Sequence, residues 1–343
     1  MSRWLLRYPT ITALLITLLW GNAFVGIKYA LETLTPVQFL LARFIPAAVW
    51  LGLMAARDWP TWGRVLRDHW RPLAFLGVIF IWGYHLLLNM GETTILPGLA
   101  ALIVATSPVF VFLFGLLLRE ETPTAEKLIG LALAMAGLYL SVVFSDQAIG
   151  LSKAGVAQRA YNLGILATFG TCLSWAVYTR GVKSLARQAD PFVLTGWVMI
   201  LGTLPSLFLI DRPFVSALAG ASVQFWLALA YLSLIAAVWA VLWWSKLLQH
   251  ADATTLSAFI YLVPVWSHLF SFLYYGERFT PLSGLGMGLI LGGLWVLNAK
   301  RPPPPQLAGS KGPPICGTAL AWMEQLERER AEAEARAVKD SGA

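Results

Sequence analysis

Few side chains in this 343-residue chain could do chemistry inside an apolar protein. Arg43 is the one clear charge in the interior of an apolar run. Glu92 closes another run, and His85 and His268 lie inside two more. An ionisable group at membrane depth is costly unless it is paired or wetted, so such residues mark either a ligand or proton site or a buried structural pair. Arg43 suits an anionic substrate group. Glu92 is the best-placed carboxylate for taking up a proton or another ion. The histidines read either as proton carriers or as satisfied core residues. No aspartate or glutamate lies deeper in a run than Glu92, which counts against proton coupling. The metallohydrolase pattern H-E-x-x-H, the nucleophile pattern G-x-S-x-G and a deep carboxylate pair are all missing from the sequence, which argues against an enzyme. His69, His85, His250 and His268 lack zinc-ligand spacing. With only Cys172 and Cys316, neither a disulfide framework nor a cysteine metal site is expected. No cofactor is implied.

The elements that must position these groups follow from composition. The chain is 58% hydrophobic and 13% charged, with a mean hydropathy of +0.67, which leaves too little polar surface to clothe a soluble globule. Its 16 tryptophans suit the boundary between headgroups and acyl chains. Ten stretches are long and apolar enough to cross a bilayer as helices. These expected spans 1 to 10 are Thr10–Ala30, Pro36–Ala55, Pro72–Met90, Pro97–Leu118, Ala125–Phe144, Tyr161–Val182, Pro191–Ile210, Phe225–Leu247, Thr254–Tyr275 and Pro281–Asn298. Membrane strands are excluded by run length and by the lack of period-2 alternation. Span 1 follows Arg3 and Arg7 but exceeds a signal-peptide core and lacks a small-residue cleavage site, so it reads as retained.

The net charge of +7 is scattered between the spans rather than gathered into a nucleic-acid patch. With the N-terminus inside, the cytoplasmic segments carry twelve lysines and arginines before the tail is counted, and the opposite segments carry five. This asymmetry favours a multi-pass protein of the cytoplasmic membrane with both termini cytoplasmic.

The chain also repeats itself. A shift of 156 lays Pro108, Glu121, Thr124, Gly130 and Gly137 on Pro264, Glu277, Thr280, Gly286 and Gly293, and a shift of 155 lays Trp20 on Trp175 and Pro36 on Pro191. Two five-helix units result, over 10–144 and 161–298. An odd number of crossings makes the second unit enter from the opposite side, so the repeat is inverted in topology, as in secondary transporters that bind solute near the midplane. Residues 1–9 form a cytoplasmic N-terminus, 145–160 a connecting loop and 299–343 a cytoplasmic tail. Thr124 and Thr280 read as helix N-caps, and Glu121 and Glu277 as carboxylates favouring the positive end of the following helix. Gly284, Gly288 and Gly292 form a small-residue stripe on span 10, suited either to packing within the protomer or to a homodimer contact.

The stretches "PGLAALIVATSPVFVFLFGLLLREETPTAEKLIGLALAMAGLYL" and "TLSAFIYLVPVWSHLFSFLYYGERFTPLSGLGMGLILGGLWVL", with "LLWGNAFVGIKYA" in span 1, resemble the EamA-type branch of the drug/metabolite transporter superfamily. Lys127 and Ser283 depart from it, standing where a glutamine is common. The resemblance covers roughly residues 10 to 298. It implies an all-α, ten-helix exporter or exchanger of small organic metabolites, amino acids and related compounds among them. Spans 1–4 and 6–9 would surround a cavity, with spans 5 and 10 at the periphery. The cavity candidates are then Trp20, Asn22 and Phe24, Tyr84, His85 and Asn89, Trp175 and Tyr178, Trp239 and Trp243, and Tyr261 and His268. Each alone also reads as packing; together they suggest a roomy amphipathic site. The resemblance further allows Arg43 a stabilising role on backbone carbonyls or a carboxylate.

The tail joins a stiff proline-rich linker, "RPPPPQLAGSKGPP", to a charged helical segment with Leu320, Met323 and Leu326 on one stripe. It is the only feature favouring the alternative of a membrane scaffold or sensor. The expected partners are a small-molecule substrate and membrane lipids.

Overall fold

A computed structural model describes residues 8–118, 123–145, 158–185, 188–250, 259–278 and 280–298. Glu121, most of the connecting loop, the first residues of span 9 and the whole tail lie outside the described residues. The described residues form helices and no strand. The bundle comprises α1 (Pro9–Leu31), α2 (Pro36–Arg57), α3 (Trp59–Glu92), α4 (Pro97–Leu117), α5 (Ala125–Val143), α6 (Gln158–Leu185) and α7 (Pro191–Thr203). It continues with α8 (Val223–Ala230, extended by Tyr231–Trp239 and Ala240–His250), α9 (Val263–Tyr275) and α10 (Pro281–Asn298). Eight of the described helices are long and apolar enough to cross a membrane, and Pro281–Val296 is a shorter apolar helix.

Local sequence explains many of the boundaries. Prolines 9, 36, 97 and 281 open their helices, where a missing N–H costs nothing. Thr35 and Gln38 form a reciprocal capping box on α2, and Ser222 caps α8. Pro108 breaks α4 after Ala105. The Thr106 and Ser107 hydroxyls then donate to the carbonyls of Ile103 and Val104, each at 2.6 Å, so the break leaves those two acceptors satisfied in the apolar interior. Pro264, its repeat mate, stands in the first turn of α9.

Three features depart from the expected spans. The third helix begins at Trp59 rather than Pro72 and kinks at His69 (φ −132°, ψ 16°). Its first turns are amphipathic: Trp62 is buried against Trp197, with ring centroids 5.9 Å apart, while Arg64 and Arg67 stay exposed. A search for unbroken apolar runs passes over such a segment. Span 7 finishes as a 3-10 turn over Leu204–Leu209, and a short helix, Arg212–Ala219, capped by Asp211, fills the loop after it.

Packing reproduces the repeat. α1 lies against α9 as α6 lies against α4; α3 against α7 as α8 against α2; and α3 against α6 as α8 against α1. Exchanging the two units maps each of these contacts onto another, as two inverted copies require. Most of the interior is therefore a joint between halves. α5 and α10 pack chiefly on each other through close backbone approach. A Cβ on Gly137 would strike the Gly286 carbonyl, and a Cβ on Gly293 would strike the backbone of Gly130 and Ala134. Gly284, Gly288 and Gly292 lie on the other side of α10, with nothing within 4 Å of a would-be Cβ. The glycines that knit the protomer are thus Gly130, Gly137, Gly286 and Gly293.

Candidate substrate site

Two stretches of π-helix stand at corresponding places in the two units: Ile79–Leu86 in α3 and Tyr231–Trp239 in α8. A π turn bonds i to i+5, and such turns concentrate at functional sites. In α3 the wide turn sets Phe80 against both Tyr84 (5.9 Å, stacked) and His85 (4.8 Å, edge-on). α6 contributes Trp175, 5.4 Å from Tyr84, and Tyr178, 4.5 Å from Phe80 and 5.5 Å from Trp175. α2 adds Phe44, 4.6 Å from His85, with the Arg43 guanidinium 5.3 Å from the Phe44 ring centre. Four expected site residues, Tyr84, His85, Trp175 and Tyr178, and Arg43 beside them, therefore meet in one aromatic wall between α2, α3 and α6.

The wall has orphaned polar atoms. Arg43 Nε and Nη1 and His85 Nδ1 are buried without a partner among the described residues. Towards the end of α3, Glu92 is fully buried and neither carboxylate oxygen has a partner there. Buried polar groups are normally hydrogen-bonded, and exceptions call for an explanation. Asn89 is anchored: its Nδ2 donates to the Pro36 carbonyl at 3.2 Å, tying α3 to the start of α2.

Where the second π segment meets α1, Trp20 and Tyr231 are bonded, although Ser233 Oγ in that segment is buried without a partner among the described residues. The Trp20 indole donates to the Ala236 carbonyl (3.2 Å), and the Tyr231 hydroxyl donates to the Leu19 carbonyl (2.5 Å). Asn22 lies within hydrogen-bond reach of Tyr231. Trp20 also packs on Trp244 at 5.3 Å, Trp239 on Trp243 at 6.1 Å, and Phe24 is buried in the core. Trp20, Asn22, Phe24, Trp239 and Trp243 thus form a seam between α1 and α8.

The remaining residues sit nearer the α4, α9 and α10 joints. The Tyr261 hydroxyl donates to the Leu294 carbonyl (3.2 Å). His268 Nε2 lies 3.7 Å from Glu277 Oε1, and the Gly98 N–H donates to Glu277 Oε2 (3.0 Å). The Glu277 carboxylate therefore sits at the positive end of α4, in the other unit, rather than at that of the following helix α10. The cause is local: Gly276 closes α9 in the left-handed region (φ 66°) and turns the chain back, as a C-terminal glycine can. At the start of α10, Thr280 and Ser283 cap each other reciprocally, so Ser283 performs the back-bond usually made by Glu or Gln. Thr124 caps α5 by accepting from the Lys127 N–H.

Sequence reasoning passed over Tyr231, Phe80 and Lys28. Lys28 Nζ donates to three carbonyls past the end of α3: Glu92 (2.6 Å), Ile95 (3.2 Å) and Thr93 (3.3 Å). A lysine near the end of span 1 reads as a charge for topology, and only the packing of α1 on α3 reveals this clasp. Tyr231 carries no such signal, since the repeat shifts of 155 and 156 lay it on Leu76 and Phe75, and only the packing of α8 on α1 reveals it.

Comparison with known proteins agrees. An uncharacterized transporter of Archaeoglobus fulgidus is 27% identical over 303 residues, covering 88% of this chain and all of the relative. A protein of Streptantibioticus cattleyicolor named a probable terminal-alkyne amino-acid exporter is 27% identical over 290 residues, covering 84% of this chain and 93% of its own. A crystal structure of a protein 20% identical in sequence aligns with a TM-score of 0.57 over 84% of this chain and 95% of the other, and shows the likeness of fold. The sequence model of the EamA-like transporter family matches residues 8–143 and again 162–299, the two units of the repeat, and the chain belongs to that family.

Proposed function

We propose that this protein is a secondary transporter that moves a small organic metabolite, unchanged chemically, across the cytoplasmic membrane by alternating access. The observation that carries the reading is the wall of Tyr84, His85, Trp175 and Tyr178 at the joint between inverted units, with Arg43 and its orphaned donors beside it. A site at that joint is exposed to either side as the units rock against each other. Rings there cover apolar parts of a solute or attract a cation by about 0.5–2 kcal/mol. The expected solutes are amino acids and related compounds, as the name of the Streptantibioticus relative suggests. Ten spans with both termini cytoplasmic remain part of this proposal.

Proteoliposomes holding the purified chain, loaded with a panel of amino acids, their derivatives and aromatic cations, test it. The expectation is counterflow of at least one solute, recovered unmodified. Vesicles that exchange none of them would favour a scaffold or sensor; recovery of an altered solute would indicate an enzyme.

A further inference from the structure

Glu92 and Arg43 are opposite charges on facing helices, and neither is hydrogen-bonded as a buried charge should be. A buried charge left unpaired costs far more than it contributes, so a fold keeps one where something else completes it. The obvious partner for Glu92 is already occupied. Lys28 has three N–H donors, and its three bonds go to the carbonyls of Glu92, Thr93 and Ile95. It steadies the end of α3 and leaves the Glu92 carboxylate, an acceptor with about four open positions, unmet. Arg43 carries five donors in a fixed fork, of which Nε and Nη1 are buried without a partner among the described residues.

The two groups lie along the same α2–α3 joint. Asn89 on α3 bonds the Pro36 carbonyl on α2, and one turn deeper His85 packs on Phe44. Arg43 immediately precedes Phe44, and Glu92 lies one turn beyond Asn89. Each lies within the other's electrostatic field, yet they make no ion pair with each other. Tyr84 lies in the electrostatic field of Arg43 and packs on Trp175 at 5.4 Å.

We propose that Glu92 and Arg43 bind the two ends of one zwitterionic solute, the ammonium at Glu92 and the carboxylate at Arg43, with the solute's apolar side chain against the Tyr84–Trp175 wall. This rests on the transporter reading above and assigns the residues that recognise the two charged ends of its solute. The pair also selects by repulsion. A solute bearing only a cation meets Arg43, and one bearing only an anion meets Glu92, so each gains one contact and suffers one clash.

Three probes separate the terms: phenylalanine, its methyl ester, which keeps only the ammonium, and N-acetylphenylalanine, which keeps only the carboxylate. Their binding to the purified full chain in nanodiscs is measured, together with counterflow in proteoliposomes. The wild type should prefer phenylalanine to either analogue by about tenfold or more, the usual weight of a charged hydrogen bond. Glu92→Gln should bring phenylalanine down to the level of the N-acetyl compound, and Arg43→Gln should bring it down to that of the ester. The wild-type ranking requires no variant, so a misfolded variant leaves the test intact. Equal binding of the three probes, or variants that keep the wild-type preference, would overturn the assignment. So would counterflow of another solute with no binding of phenylalanine, although the transporter reading would survive. Absence of counterflow for every solute would overturn both.

Discussion

Trp20 and Trp175 occupy matching places in the two units, but the protein uses them differently. The Trp20 indole is bonded to the Ala236 carbonyl of α8, inside a seam where Tyr231 is also satisfied. Trp175 packs by its ring alone on Tyr84 and Tyr178, beside the orphaned donors of Arg43 and His85. Duplication supplied the same residue twice; one copy now joins the halves, and the other faces groups still lacking a partner. Both tryptophans lie at joints between the halves, and they differ in that Trp20 has its polar atom bonded there while Trp175 stands beside buried polar atoms that call for a partner.

That contrast can be broken at several points. The largest effect is expected in the α5–α10 knit: Gly286→Leu forces a side chain into the Gly137 carbonyl and Ser141 and should abolish a monodisperse protein. Gly288→Leu, facing open space on the same helix, should leave its melting temperature unchanged. Similar losses for both would show that the outer stripe is packed too, and a change of size in the second variant alone would reveal a homodimer.

Next in size is Glu277→Ala, which strips the buried Gly98 N–H of its acceptor and should cost about 1–3 kcal/mol. Glu277→Gln keeps an oxygen for that N–H and should lose less. Melting curves of the two variants check the order, and an equal loss in both would show that the charge matters more than the acceptor. Smaller again is Tyr231→Phe, which deletes the bond to the Leu19 carbonyl at about 1 kcal/mol and should lower the melting temperature with solute affinity intact. A normal melting temperature with weakened binding would move Tyr231 from the seam to the site.

The fold was legible in the sequence to the extent that it follows from periodic and repeated features. Run length placed α1, α2, α4, α5 and α10, and the paired prolines, threonines and glycines disclosed the duplication. The beginning of α3 was hidden because Trp62 and Val65 alternate with Arg64 and Arg67, a pattern that an apolar-run criterion discards. The site was only half legible. Aromatic type picked out Tyr84, His85, Trp175 and Tyr178, which the fold brings together as a candidate site, but nothing in the sequence separates Trp175 from Trp20, because the difference lies in which carbonyl comes within reach once α1 meets α8. Lys28 and Glu277 likewise find their partners 64 and 179 residues away, at distances no local pattern encodes.

The division between seam and wall is tested most directly by making one substitution at both matched residues. Trp20→Phe and Trp175→Phe are purified, and each is assayed for melting temperature and for binding of the solute that wild-type proteoliposomes exchange. The account predicts that Trp20→Phe melts lower by about 2–4 °C, the shift expected for one lost hydrogen bond of about 1 kcal/mol, and binds as wild type does. Trp175→Phe should melt as wild type does and bind several-fold more weakly. The opposite pairing, with Trp20→Phe impaired in binding at normal stability and Trp175→Phe unstable with binding intact, would contradict it.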